Sequence, residues 1–573
     1  MSSRLLITIL SKNNVLKPQA KLNKFIPASL KNFSTLDKSD DKFVTTPIFY
    51  VNAAPHIGHV YSAVLADIMS RFFGLLGKNV KFSTGTDEHG LKIQQAADIA
   101  KISPELFCTQ NSNKFRDLFD LSNVKYTDYI RTTMPEHKKS VEKFWNILVE
   151  NGHIYKGKFS GWYSVSDEAF YTHAQVEQVL DKSNNISYTV SLETGSKVEW
   201  TEEENYMFRL SSFKDKLLEM VETNKEFITP ENRRNEVINW LKQDLQDLSV
   251  SRPRTRLSWG IPVPNDSSQT IYVWVDALIN YLSIDGFYKP DYLSGQFFPP
   301  TIQVVGKDIL KFHAIYWPAL LLAADLPLPQ HIIAHAHWTM DNFKMSKSRG
   351  NVADPYSAIQ KFGVDGLRYF LARDGGLSVD GDYSESYIKT RYNSELADHL
   401  GNLLSRCLST KLGADTSTFL QVVKNISMFT DKKDIEIKTN LENLPENVKS
   451  LYATMDYKGA LKLVNETLKL ANKYFSDNKP WELNKNKDYD RLNTVVFYSL
   501  ETVRIVSIML YPIIPTKATE ILDILGIPEN KRDWESTKFG TSWTEFLADN
   551  NESSNSNKNV IKRNISPVFN KMQ

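Results

Sequence analysis

The chain has 573 residues, 41% hydrophobic and 24% charged, enough for several separately cored domains of ordinary globular composition. Its formal net charge is only +2, and its two cysteines, Cys108 and Cys407, lie far apart, which excludes a disulfide framework and a cysteine-held zinc site. No apolar run reaches the roughly 18 residues of a membrane-spanning segment, so no membrane partner is expected.

Charge is unevenly spread. Residues 1–36 carry six basic side chains (Arg4, Lys12, Lys17, Lys21, Lys24, Lys31) and no acid, and the first carboxylate is Asp37. An acid-free, basic, hydroxyl-bearing leader has the composition of a mitochondrial transit peptide, here assigned to residues 1–36. A basic arm that touches RNA directly is the other reading. Without that stretch acids outnumber bases, so nucleic acid has to be met by local basic patches.

Residues 43–51 read as a strand, 57–76 as a helix and 79–83 as a second strand. Strand alternating with helix predicts parallel βαβ units, an α/β Rossmann-like catalytic domain over residues 42–385. Gly, aromatic and polar residues of about 152–205 interrupt it as an insertion. The βα texture returns at 271–274, 302–305 and 331–336. From 386 to 545 helical patterns take over, among them 460–475 and 495–510, the latter stopped by Pro512 and Pro515. Residues 546–573 are assigned to a polar C-terminal tail.

Two motifs carry chemistry. Pro55-His56-Ile57-Gly58-His59 stands where a strand meets a helix. His56 and His59 share one face of the first turn, whose open N–H groups and positive dipole end favour phosphate. Gly58 lets an adenine ring approach the backbone. Lys344-Met345-Ser346-Lys347-Ser348 follows far downstream as a cationic loop. Each is a weak signal alone. Together, in this order and on this background, they resemble the paired signatures of class I aminoacyl-tRNA synthetases.

Further segments narrow the resemblance. Thr84-Gly85-Thr86-Asp87-Glu88-His89-Gly90, Tyr272-Val273-Trp274-Val275-Asp276-Ala277-Leu278 and Gly306-Lys307-Asp308-Ile309 are similar to methionyl-tRNA synthetases, a likeness that runs from about residue 43 to 545. It implies catalysis by His56, His59, Lys344 and Lys347. ATP would lie on His56, Gly58, His59, Gly306, Asp308, His335, Trp338 and Lys347. Methionine would lie among Ile48, Tyr50, Asp87, Trp274, Ala277, Leu278, Tyr281, Ile309 and His313, with Asp87 on its ammonium group. A thioether suits such an aromatic and aliphatic pocket. Asn402, Arg406 and Trp481 would read the anticodon, although sequence position alone makes Trp481 a plug at a helix junction.

The insertion is too small for the large editing domain that isoleucine, valine and leucine enzymes carry, which leaves methionine as the substrate. Ser164 and Asp167 stand where many relatives place zinc-binding cysteines, so no structural zinc is expected. The resemblance implies ATP with Mg2+, L-methionine and tRNA(Met) as partners, a monomer, and work in the mitochondrial matrix. A catalytically inactive tRNA-binding scaffold and a class I synthetase for another amino acid are the alternatives.

Overall fold

The computed structural model describes residues 40–572 apart from 165–168, 172, 182–185, 293–296, 342, 346–351, 416–417, 420–421, 423–430 and 541–560. The proposed leader therefore lies outside the described residues, as do Lys347 and Asp167.

Six parallel strands form the central sheet: β1 (Asp41–Tyr50), β2 (Asn79–Asp87), β3 (Asp128–Arg131), β4 (Ile228–Thr229), β5 (Ile302–Gly306) and β6 (His331–His335). Their spatial order is β3-β2-β1-β5-β6-β4, so the order of connection reverses at the β1–β5 boundary. Every residue of β5 and β6 is buried, as expected of parallel strands covered on both faces. The helix α1 (Ile57–Leu75) follows β1 and buries fourteen side chains, from Ile57 to Leu75.

Residues 271–274 depart from the sequence reading. Asp266–Ile271 is a strand, but it pairs antiparallel with Ser251–Pro253 and Pro262–Val263 in a separate three-stranded sheet. The chain then turns into the helix Val273–Leu278. A short apolar run does not distinguish strand from helix by periodicity. The insertion is an antiparallel sheet framed by Ile154–Ser164 and Lys197–Phe208.

Beyond residue 385 the described regular elements are helical. Tyr489–Leu510 is long and apolar enough to cross a membrane by composition, yet all of its apolar window is buried inside the protein. It is the core of the bundle. Of the stretch read as a tail, residues 561–572 are packed down: Ile561, Val568 and Phe569 are buried. Asn393 exchanges two hydrogen bonds with the Met572 backbone, and Arg563 donates to the Ala414 carbonyl. Three apolar side chains among polar ones suffice to anchor a strap whose composition reads as solvated.

A buried ion pair of the sheet domain is tied to the helical bundle through backbone carbonyls. Asp67, on α1, accepts from Arg368 Nη2 at 2.6 Å and from Arg71 Nε at 2.7 Å. The same Arg368 guanidinium donates to the carbonyls of Pro512 and Ile513, at the end of the bundle core, and to those of Ser122 and Asn123. Its donors are thus matched to a carboxylate and four carbonyls, which is what makes a buried charge tolerable. Asp67→Ala, which strands the guanidinium, should cost about 3–5 kcal/mol in urea unfolding, and the paired Asp67→Leu/Arg368→Met change should cost less.

Candidate active site

Ligands of open α/β sheets sit outside the carboxyl ends of the strands, where strand order reverses. Here that crevice lies between β1 and β5. Tyr50 and Asp87 end β1 and β2 and are register partners. Gly306 ends β5 and His335 ends β6, again as partners. The sheet alone therefore gathers residues that stand far apart in the chain.

The histidine-bearing turn is built differently from the sequence expectation. His56 is the N-cap of α1: its Nδ1 accepts from Gly58 N at 3.1 Å, while His59 Nδ1 accepts from His56 N at 3.1 Å. The rings stack with centroids 3.8 Å apart. Part of the first turn's N–H set is thus taken by the imidazoles themselves, so it is not simply open to phosphate. An Nδ1 that accepts leaves the proton of a neutral ring on Nε2, so each histidine presents an Nε2–H donor. Gly58 has a second role. A Cβ there would lie 3.0 Å from His56 Cε1 and displace the ring.

Across the crevice, a Cβ on Gly306 would come within 2.5 Å of Asp308 Oδ1, so only glycine leaves that carboxylate its place. Asp308 accepts from His337 Nε2 at 3.2 Å. Partial burial pushes its pKa up, but the His337 bond and charge outweigh that and hold it at about 2. His335 donates from Nδ1 to the Ala336 carbonyl and meets Ser62 Oγ at 2.7 Å through Nε2. Burial lowers its pKa to about 4, which keeps the ring neutral. Tyr61 lies edge-on to both His335 and Trp338 and braces them, a role the sequence did not reveal.

Tyr50, Trp274 and Ile309 are partly exposed and pack on the core cluster that includes Leu278 and Tyr281. Tyr281 Oη meets His313 Nε2 at 2.7 Å, and His313 Nδ1 donates to the Ile309 carbonyl. Burial depresses the His313 pKa to about 4 and raises that of Tyr281, so this floor carries no charge at neutral pH. Such a pair suits an uncharged side chain. Ile48 faces Gly85 across the β1–β2 ladder, and Ala277 shares the short helix of Trp274.

Two buried groups escaped the sequence reading. Glu88 accepts from Arg131, Thr86 and Thr133 and so clamps the turn after Asp87. Asp276 is held by His89 and His137. Arg252 is buried in the separate three-stranded sheet: it stacks 3.8 Å from the Tyr272 ring centroid and donates to Ser249 Oγ and the Ser251 carbonyl. A carboxylate inside the apolar helix Val273–Leu278 is the one signal that could have marked Asp276, because a buried charge needs partners.

The lysine loop is described only at its base. Trp338–Met340 pairs with Phe343–Lys344 in a hairpin that begins three residues after His335, itself bonded to α1 through Ser62. Lys347 lies outside the described residues. In the helical domain Asn402 is exposed, and the Arg406 guanidinium rests 4.5 Å from the Phe475 ring centroid and donates to Ser476. Trp481 is 51% exposed, so it does not plug a junction.

A parallel sheet with this site, joined to a helical bundle, defines a class I aminoacyl-tRNA synthetase. The family model described as tRNA synthetases class I (M) matches residues 42–408, and that described as the anticodon binding domain of methionyl tRNA ligase matches 428–551. The probable mitochondrial methionine–tRNA ligase of Dictyostelium discoideum is 44% identical over 94% of this chain and 96% of its own length. The mitochondrial methionine–tRNA ligase of Homo sapiens is 44% identical over 86% of this chain and 84% of its own. The crystal structure of Mycobacterium tuberculosis methionyl-tRNA synthetase bound by methionyl-adenylate aligns with a TM-score of 0.82 and 37% identity, covering 92% of this chain and 100% of that one. The chain belongs to the methionyl-tRNA synthetase family.

Two outcomes test this geometry. Gly58→Ala should slow ATP–pyrophosphate exchange by up to about tenfold, because the His56 ring must give way to the added Cβ, with little change in melting temperature. Asp276 is more stable ionised in the folded protein: burial opposes this, but His89 and His137 hold its pKa at about 2. A depressed carboxylate stabilises the fold above its unfolded pKa near 4, a contribution lost as pH falls toward 2. Acid unfolding of the wild type should therefore steepen between about pH 4 and 2, and Asp276→Asn should flatten that limb.

Proposed function

We propose that this protein activates L-methionine with ATP and transfers it to tRNA(Met) in the mitochondrial matrix, acting as a monomer. The observation that carries the reading is the convergence, at the reversal of one parallel sheet, of a paired-imidazole turn and an uncharged aromatic pocket beside Asp87. The relatives named above as mitochondrial support the compartment, and the anticodon-domain match supports the tRNA.

In the first step a methionine carboxylate oxygen attacks the α-phosphorus of ATP. The bond to the bridging oxygen breaks and pyrophosphate leaves with its electron pair. Charge on the phosphate oxygens is the main barrier, so donors placed in advance supply most of the acceleration. His56 and His59 offer Nε2–H from one side, and Lys344 and Lys347 offer ammonium groups from the loop. Asp87 holds the substrate ammonium. Gly306 and Asp308 take the ribose, and His335 and Trp338 the adenine. In the second step the 2′-hydroxyl of the terminal tRNA ribose attacks the carbonyl carbon and AMP departs. Asn402, Arg406 and Trp481 read unstacked anticodon bases by edge bonding and stacking.

Among the described residues no cluster of His, Cys, Asp and Glu could hold a metal ion. Magnesium enters with ATP as the triphosphate's counter-ion. The insertion does not fit a thiolate-held zinc: Ser164 is a buried hydroxyl at a strand end, and the chain's two cysteines lie elsewhere. Packing replaces it, with Trp162 edge-on to Trp200, and Tyr163 beneath Arg252 and Arg256.

ATP–pyrophosphate exchange with single amino acids tests the reading. Exchange with methionine alone is expected; exchange with none favours a tRNA-binding scaffold, and exchange with another amino acid reassigns the substrate. Lys347→Ala should cut kcat/KM for activation by about a hundredfold or more while methionine binding changes little.

A further inference from the structure

A buried relay runs behind the methionine pocket. Asp276 Oδ2 meets His89 Nδ1 at 2.6 Å, and Asp276 Oδ1 meets His137 Nε2 at 2.6 Å. Ser283 Oγ lies 3.0 Å from His137 Nδ1 and closes the chain. Asp276, His89 and His137 are all 2% exposed or less. The three groups come from three places: the helix of Trp274, the turn that follows Asp87, and the helix Pro135–Glu150.

An ionised carboxylate only accepts, so each oxygen takes one ring N–H and both imidazoles are fixed in tautomer and orientation. The consequence is geometric. Asp87 and His89 are two residues apart in one turn, and Trp274 and Asp276 two apart in one short helix. The His89–Asp276 bond is therefore a strut between the element that carries the ammonium partner and the element that carries the aromatic wall. The surrounding polar contacts keep the strut local. His89 lies edge-on to Trp259, whose Nε1 donates to the Glu88 carbonyl and whose own carbonyl accepts from Gly90 N. The His137 arm instead joins the helix Pro135–Glu150 to Ser283, whose hydroxyl also donates to the Ile279 carbonyl, so the short helix that carries Tyr281 does not hang on this arm alone. One carboxylate thus has a pocket-facing arm and a scaffold-facing arm.

We propose that Asp276 is a positioning residue that sets the spacing between Asp87 and Trp274, and that the His89 arm governs methionine affinity whereas the His137 arm governs stability. The inference rests on the proposed methionine site, and wild-type exchange with methionine tests that site separately. Asp276→Asn and His89→Gln should each raise KM for methionine in ATP–pyrophosphate exchange by about tenfold, with KM for ATP within about twofold of wild type. His137→Gln should lower the melting temperature but leave KM for methionine within about twofold. If Asp276→Asn does not fold, His89→Gln decides, because it leaves the His137 bond in place. An unchanged methionine KM in His89→Gln, or methionine and ATP constants rising together in all three variants, overturns the proposal. So does a methionine KM that rises as much in His137→Gln as in His89→Gln.

Discussion

The reversal of strand order between β1 and β5 is the constraint from which the rest of the site follows. Connections on either side of that boundary leave the sheet in opposite senses, so a crevice opens at the carboxyl ends, and every residue ending a strand there faces it. Tyr50, Asp87, Gly306 and His335 owe their nearness to this topology. What their side chains add is fine placement. A histidine caps its own helix, a glycine makes room for a carboxylate, and a tyrosine holds a neutral imidazole.

Neutrality recurs where charge might be expected. His313 and His335 are both pushed to about 4 by burial, and Tyr281 is pushed up, so these buried rings of the candidate pockets stay uncharged at neutral pH. Asp308, by contrast, is held ionised by His337 at the crevice edge. Behind the pockets, buried charges form closed sets such as Asp67 with Arg71 and Arg368 or Glu88 with Arg131, where the carboxylate has its donors. These sets bind elements that are distant in the chain: Asp67 and Arg368 connect the helix of the histidine turn to the anticodon-side bundle.

Much of the central sheet was legible because parallel strands are continuous apolar runs and α1 keeps a helical period. Residues 302–305 and 331–336 fall on β5 and β6. The run at 271–274 was misread because apolar residues there serve a strand end and then a helix start, which period alone does not separate. The site motifs were visible as short strings. Their partners were not: Asp276 finds its histidines 187 and 139 positions away, and Arg368 finds Asp67 301 away. Imidazole capping at His56 was also hidden, since the usual cap residues are Ser, Thr, Asp and Asn. The packed segment 561–572 was masked by its own polarity, with Val568 and Phe569 too few to shape a pattern.

The central claim is that ATP and methionine meet on the carboxyl edge between β1 and β5. Amide hydrogen exchange with a non-hydrolysable methionyl-adenylate mimic tests it most directly. Protection is expected together in the segments around Tyr50 to His59, Asp87 to Gly90, Trp274 to Tyr281, Gly306 to His313 and His335 to Trp338. Protection confined to the insertion or to the helical bundle, with those five segments unaltered, would contradict the account.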